Sequence, residues 1–136
     1  MRIPAVLVAI VVLLTACSGD GASNDALRAG RTIYGDNCAV CHDATGRGGV
    51  GPALDDVLET FPSCDTQVRW ISLGSLGWQE EVGPTYGAQD TPIGGAMPRF
   101  ENRLEPDEIR SVAAFVRTRY ADADPDETLA DCGLAE

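Results

Sequence analysis

Three residues that can bind a cofactor or metal lie within five consecutive positions, Cys38-Ala39-Val40-Cys41-His42. Their pattern, C-x-x-C-H, is the attachment sequence for c-type haem, in which two thiols on one helical turn form thioethers and the adjoining imidazole ligates iron. His42 is the one histidine of the chain. A zinc knuckle would need a second ligand pair, and a thioredoxin-like dithiol would need a βαβ context that no strand pattern provides. The motif therefore predicts one covalently attached haem c with His42 on the iron.

The composition restricts the classes of function. The 136 residues suffice for one domain, and 21 acidic residues stand against 10 basic ones, all arginine, for a net charge of −11. This charge argues against nucleic acid, whose phosphates require a basic surface, and favours partners that carry basic patches. A single histidine also excludes His-bridged metal pairs and most catalytic zinc sites.

The N-terminus is predicted to be an export signal. Arg2 precedes an apolar run from Ile3 to Leu14 that is shorter than the roughly 20 residues needed to span a bilayer. The run ends in Leu14-Thr15-Ala16-Cys17, which resembles the bacterial lipobox with its acylated cysteine. We predict a lipoprotein signal peptide over 1–16, lipidation of Cys17, a flexible tether over 17–24 and a domain over 25–136. An ordinary signal peptide beside an unrelated cysteine is the alternative.

Export places the remaining cysteines in an oxidising compartment. With Cys17, Cys38 and Cys41 assigned, Cys64 and Cys132 are left. A disulfide between them is the economical assignment and would stabilise the fold by about 4 kcal/mol in the chain-entropy model. Two unpaired thiols are the alternative.

Two amphipathic patterns predict terminal helices. The first follows Asn24 as N-cap. The last begins with Pro106 at its first helical position and ends with Arg117 and Arg119 near its negative end. The predicted inner face of this last helix is Ile109, Val112, Ala113, Val116 and Tyr120.

The middle of the chain predicts less regular structure. A short helix over 65–73 is predicted to be capped by Asp65 and ended by Gly74. Residues 75–96 lack a clear periodicity and are interpreted as a loop beside the haem. The acidic residues over 122–127 are interpreted as a solvated surface segment.

From residue 24 to 120, the order of motifs resembles the class I cytochromes c, the small single-haem electron carriers of bacteria. The matching motifs are Gly30-x-x-x-Tyr34, Cys38-x-x-Cys41-His42, Gly51-Pro52-x-Leu54, Gly95-Ala96-Met97-Pro98 and the C-terminal amphipathic helix. The resemblance implies an all-α class I cytochrome c fold, with three to five short helices wrapped around one covalently attached haem. It also implies that the terminal helices cross closely, with Gly30 against Ala113 and its neighbours.

The resemblance also implies roles for single residues. Met97 would be the second axial ligand, since thioether sulfur raises the reduction potential, although a core methionine is the alternative. The Pro52 carbonyl would accept a hydrogen bond from His42, and Leu54 would pack on the haem edge; a plain glycine-rich turn is the alternative. The G-x-G-x-x-G pattern over 46–51 is rejected as a dinucleotide site because no strand precedes it. Hydrogen bonds to the haem propionates, or simple packing or exposure, are considered for Arg47, Trp70, Trp78 and Tyr86.

If His42 and Met97 both ligate the iron, no coordination position stays open. This implies an electron carrier and not an enzyme. We predict a lipid-anchored, exported carrier at the outer face of the cytoplasmic membrane, between a quinol-oxidising complex and a terminal oxidase or another reductase. Its acidic surface would dock on basic patches of these partners. The alternatives are a fixed subunit of an oxidase or dehydrogenase complex, and a haem peroxidase or gas-binding protein with labile methionine ligation.

Overall fold

A computed structural model describes residues 19–135, which are helical apart from loops and one short hairpin. The elements are α1 (Gly19–Asn37), α2 (Ala39–His42), α3 (Val57–Thr60), α4 (Cys64–Glu81), β1 (Thr85–Tyr86), β2 (Thr91–Pro92), α5 (Pro106–Tyr120) and α6 (Pro125–Asp131). The predicted all-α class is confirmed. The predicted signal peptide over 1–16 and Cys17 lie outside the described residues. Within those residues, no helix combines the length and apolarity that crossing a bilayer requires.

The two long terminal helices, α1 and α5, cross at Gly30. A Cβ atom at this position would collide with the Ser111 carbonyl and would lie 2.8 Å from Cβ of Phe115. Glycine in a helix costs about 1 kcal/mol relative to alanine, so the close crossing explains why glycine is needed here. The implied crossing is present, with Ser111 and Phe115, neighbours of the fully buried Ala113, facing the glycine.

The predicted start and inner face of α5 are confirmed. Pro106 occupies the first turn, and Glu105 and Glu108 form a reciprocal capping box that satisfies backbone N–H groups. The inner residues Ile109, Val112, Ala113 and Val116 are buried, and Tyr120 is half-buried.

The starts of the two other long helices differ from the predictions. Helix α1 begins at Gly19, inside the segment predicted as a tether, so Asn24 lies within the helix and does not cap it. A packed helix extends into adjoining residues at little cost, because nucleation is the expensive step. The N-cap of α4 is Ser63 and not Asp65: the Ser63 backbone is extended and its Oγ accepts from the Thr66 N–H at 3.4 Å.

Residues 75–96 contain more regular structure than predicted. The break at Gly74 is present (φ 61°, ψ −174°), but the chain resumes a helix up to Glu81. An antiparallel hairpin then pairs Thr85 with Pro92 and Tyr86 with Thr91. Glycine is required at position 74 because the carbonyls of Met97 and Pro98 pack directly against it, whereas Gly77 lies only against the flexible guanidinium of Arg99.

The acidic tail is also more ordered than predicted. Asp124 caps α6 by accepting from the N–H groups of Asp126 and Glu127, both at 3.0 Å, and Leu129 is buried. The structure joins Cys64 to Cys132 by a disulfide with both residues fully buried, so α6 is pinned to the start of α4.

Arg117 connects α5 to the segments around it from a buried position. Its side chain is 6% exposed and donates hydrogen bonds to Phe61 O at 2.9 Å, Gln67 Oε1 at 3.2 Å and Pro62 O at 3.3 Å. It also forms an ion pair with Asp131 at 3.5 Å. Burial lowers the pKa of Arg117, and the neighbouring Asp131 carboxylate opposes this shift.

Replacing Arg117 by methionine should lower the free energy of unfolding by about 3 kcal/mol, because the variant leaves buried carbonyls without a donor. Arg119→Met, an exposed substitution on the same helix, is the control and should change it by less than about 0.5 kcal/mol. Urea denaturation of both variants measures the difference. Equal losses would show that helix charge, and not the buried hydrogen bonds, accounts for the effect.

Candidate haem site

The two cysteines of the motif lie on one helical turn. Cys38 caps α2, and its carbonyl accepts from the N–H groups of Cys41 at 3.1 Å and His42 at 3.0 Å. Both thiols are free and half-buried. Burial, and to a smaller degree the neighbouring Cys41, raises the pKa of Cys38 to about 11. This local geometry presents two thiols at the spacing that thioether attachment requires.

The imidazole of His42 is held by the loop that follows it. Its Nδ1 lies 2.8 Å from the Pro52 carbonyl, so Nδ1–H donates and Nε2 keeps a free lone pair. The hydrogen bond expected from the resemblance is therefore present. Gly51 packs against the ring, where an added Cβ would lie 2.8 Å from Cε1. The Gly51 N–H donates to the Cys41 carbonyl at 2.9 Å, which closes the loop onto the motif.

Two tyrosine hydroxyls fix the backbone immediately after His42. Tyr34 on α1 donates to the Asp43 carbonyl at 2.6 Å, and Tyr120 on α5 donates to the Ala44 carbonyl at 3.0 Å. Their rings lie 5.1 Å apart, and Asp43 has a left-handed backbone with φ 67°. The sequence placed Tyr34 in a family motif and Tyr120 on the inner face of the last helix, and neither assignment predicted this role. The role could have been inferred from the position of Tyr34 in the Gly30-x-x-x-Tyr34 motif and of Tyr120 at the end of α5.

Tyr34→Phe should lower the free energy of unfolding at pH 7 by about 1–2 kcal/mol, because the Asp43 carbonyl loses its buried donor. Burial first, and then the nearby Tyr120, holds the pKa of Tyr34 well above its ordinary value of 10.0. Above pH 10 the unfolded chain loses this proton while the folded chain keeps it, so stability falls as pH rises. The slope contributed by Tyr34 approaches about 1.4 kcal/mol per pH unit.

Urea denaturation between pH 7 and pH 11 checks this prediction. The phenylalanine variant should lack the alkaline slope that Tyr34 contributes, and Tyr86→Phe, where Tyr86 is half-buried in the hairpin, serves as control. An identical alkaline slope in wild type and Tyr34→Phe would contradict the proposed titration.

The loop that carries Met97 is anchored to the kink of α4. The Met97 N–H donates to Ser75 Oγ at 2.9 Å, and the Met97 carbonyl accepts from the Ser75 N–H at 3.0 Å. Gly74, with φ 61°, permits this approach because a Cβ there would collide with the Pro98 carbonyl. Sequence reasoning missed Ser75 altogether, since nothing in its local context distinguishes it from other serines.

Arg99, two residues after Met97, adds a second contact between this loop and α4. Its guanidinium lies against Gly77 and forms ion pairs with Glu80 at 3.4 Å and Glu101 at 3.1 Å. The structure packs Met97 and Leu54, both half-buried, against the same hydrophobic core as Cys38. Three predicted site residues from separate segments thus border the same core.

The aromatic residues considered for the haem propionates have packing roles. Trp70 stacks on Tyr86 with ring centroids 4.4 Å apart, and the Trp78 Nε1–H donates to the Thr85 carbonyl at 2.8 Å. The Trp78 donor is therefore already satisfied within the protein. Arg47 is exposed.

These residues fit a c-type haem. Two free thiols have the attachment spacing, and the Pro52 hydrogen bond orients the His42 ring and leaves Nε2 free for a metal. When bound, the haem supplies a ferric/ferrous one-electron couple. The residues that would hold the haem are Cys38, Cys41 and His42, together with Met97 on the loop that Ser75 anchors.

Comparison with known proteins decides the family. A family model described as Cytochrome c matches residues 27–119. The chain belongs to the cytochrome c family. This membership implies a covalently bound c-type haem and a function in haem electron transfer, since most of the matching relatives are electron-carrier cytochromes.

Among curated relatives, cytochrome c6 of Nostoc sp. is 31% identical over 119 residues, covering 88% of this chain and 92% of the relative. Cytochrome c-L of Methylorubrum extorquens is 31% identical and covers 69% of this chain. The cbb3-type cytochrome c oxidase subunit CcoP of Azospirillum sp. is 30% identical and covers 73% of this chain. This cytochrome spans only 40% of the c-L protein and 30% of CcoP.

A solved structure has the same fold. Cytochrome cL from Hyphomicrobium denitrificans superposes with a TM-score of 0.51 at 27% identity, covering 76% of this chain and 55% of that one. The small class I cytochrome c fold is thereby confirmed for this cytochrome.

Proposed function

We propose that this cytochrome is a lipid-anchored carrier of one electron between respiratory-chain components at the outer face of the cytoplasmic membrane. The observation that carries the proposal is the anchoring of the Met97 loop by Ser75 through both backbone groups. With both His42 and Met97 on the iron there would be no open coordination position, so electron transfer would be the available reaction. His42 and Met97 are the proposed metal ligands, with Cys38 and Cys41 as attachment residues and one haem per chain.

The relatives of high coverage support a mobile carrier, since this chain covers 92% of the Nostoc cytochrome c6. The net charge of −11 supports docking on basic patches of a quinol-oxidising complex and a terminal oxidase or another reductase. Such docking should weaken as salt is added, because charges beyond the Debye length of about 10 Å at 0.1 M are screened.

Visible spectroscopy of the purified protein in both oxidation states tests the proposal. A methionine-ligated ferric haem has a weak long-wavelength sulfur-to-iron band, and the ferrous form resists carbon monoxide. We expect both properties. Rapid binding of carbon monoxide by the ferrous protein would instead support the gas-binding or peroxidase alternative.

The anchor is tested separately. Cys17→Ser should move the protein from the membrane fraction to the soluble extracytoplasmic fraction, because the acylated residue is lost. The spectrum of the released protein should equal that of the wild type. Membrane attachment that persists in Cys17→Ser would contradict the proposed lipidation of Cys17.

A fixed oxidase subunit is the second candidate function. It is favoured by the match to CcoP, which is named as an oxidase subunit and of which this chain spans 30%. Stoichiometric co-purification with a membrane complex in mild detergent would support the subunit, whereas recovery of the free cytochrome would support the carrier.

A further inference from the structure

The acidic surface is interrupted by arginines that form no ion pair within 4.0 Å with the acidic side chains that the structure describes. Four of the nine arginines in this range form ion pairs within 4.0 Å: Arg28, Arg99, Arg110 and Arg117. The others are Arg31, Arg47, Arg69, Arg103 and Arg119, all exposed. Three of them, Arg69, Arg103 and Arg119, lie over aromatic rings. An exposed cation that forms no ion pair in a chain of net charge −11 is available to an outside anion.

Three of these arginines are grouped at one place. Arg31, Arg47 and Arg119 line two adjoining recesses of about 280 and 550 Å³ that share Arg119 and Tyr120 as walls. We call this surface the arginine groove. Asp55 is the one acidic residue that lines it. The Asp43 carboxylate also lies within electrostatic range of Arg47. Three arginines against these two carboxylates leave the groove with a positive local charge on a negative protein.

The groove also has an aromatic wall and lies beside the haem-attachment residues. Tyr34, Phe115 and Tyr120 pack against one another with ring centroids 5.1–5.7 Å apart. Ala39 and Ala44 line the larger recess. Ala39 lies between the two motif cysteines and Ala44 lies two residues after His42, so a molecule in the groove contacts the segment that carries the haem.

We infer that the arginine groove docks an acidic segment of a redox partner protein. Carboxylates of that segment pair with Arg31, Arg47 and Arg119, for which the guanidinium fork is suited, and its apolar side chains pack on Tyr120 and Phe115. A recess admits a protruding chain segment but not the flat surface of a bilayer, which favours a protein over anionic lipid. The inference rests on the proposed function, because a carrier must dock with both a donor and an acceptor.

The groove would then bind an acidic partner, and the acidic remainder of the surface would bind a basic one. At about 0.1 M ionic strength, carboxylates more than roughly 10 Å away are screened, whereas the arginines act at contact distance. An acidic partner therefore binds this groove without long-range steering, and a basic partner binds elsewhere on the surface.

A matched pair of charge reversals tests the inference on the full haem-loaded protein. Arg31→Glu with Arg119→Glu removes groove arginines, whereas Arg69→Glu with Arg103→Glu makes the same change of net charge at exposed arginines outside the groove lining. The probe is a decaglutamate peptide, titrated at about 0.1 M salt with NMR chemical-shift mapping. We expect the dissociation constant to rise at least about tenfold for the groove variant and less than about threefold for the control.

Shift changes should centre on the backbone around Ala44 and Tyr120. Equal weakening by both double variants, or shifts elsewhere, would overturn the inference. Vesicles of phosphatidylcholine with phosphatidylglycerol form the second arm: binding to these vesicles without binding to the peptide would also overturn it, in favour of lipid headgroups. The visible spectrum is recorded for every variant, so a failure of the haem assignment is distinguished from a failure of the docking assignment.

Discussion

Met97→Ala is expected to abolish the sulfur-to-iron band of the ferric protein and to let the ferrous protein bind carbon monoxide. Met97 is the one methionine in the described residues, so no other thioether there replaces it. Because methionine ligation raises the potential, and axial ligands tune haem potentials over about 0.8 V, we expect a fall on the order of 0.1 V. Absorption spectra and potentiometric titration provide the measurements.

Ser75→Ala tests the positioning of the Met97 loop without removing the proposed iron ligand. This variant keeps the sulfur but removes the hydroxyl that accepts from the Met97 N–H at 2.9 Å. We expect the sulfur-to-iron band to persist, with a smaller shift in potential and faster binding of carbon monoxide than in wild type. Leu76→Ala, a neighbouring side chain that is 72% exposed, is the matched control and should change none of these.

For the first variant, an unchanged spectrum in Met97→Ala would refute methionine ligation.

The double substitution Cys64→Ala with Cys132→Ala should produce the largest loss of stability. The disulfide links residues 68 positions apart, and removing such a cross-link costs about 4 kcal/mol in the chain-entropy model. That is a large share of the roughly 5–15 kcal/mol that stabilises a typical domain. The loss is expected to release α6, because Cys132 directly follows its last residue, Asp131. Guanidinium denaturation measures the change.

Ser63→Ala is the control for this experiment. It removes the N-cap of α4 but keeps the disulfide, and should cost about 1 kcal/mol. Both cysteines are fully buried, so a mild thiol reductant should leave the native protein oxidised until it unfolds. A loss in the double variant no greater than that of Ser63→Ala would show that the disulfide contributes little.

The haem-attachment motif and α5 were predictable because their determinants are local. Two thiols three positions apart and an adjoining imidazole share one helical turn wherever that turn lies in the fold. Pro106 and Glu108 similarly specify a helix start through bonds within a few residues. The cap of α4 shows the limit of local reasoning: Ser63 and Asp65 are both good caps, and only the extended backbone of Ser63 decides between them.

By itself, the sequence predicted the cofactor class and the residues that attach the haem, because both predictions depend on side-chain chemistry at short, fixed spacing. It predicted the helical fold through the resemblance of its motif order to the class I cytochromes c. Tertiary structure alone decided which groups hold those residues in place. Ser75 contacts Met97 across 22 positions, Tyr120 contacts Ala44 across 76, and Arg117 contacts Phe61 across 56. A hydrogen bond between distant positions exists only once packing has removed water and brought the partners together, and no local pattern records that event.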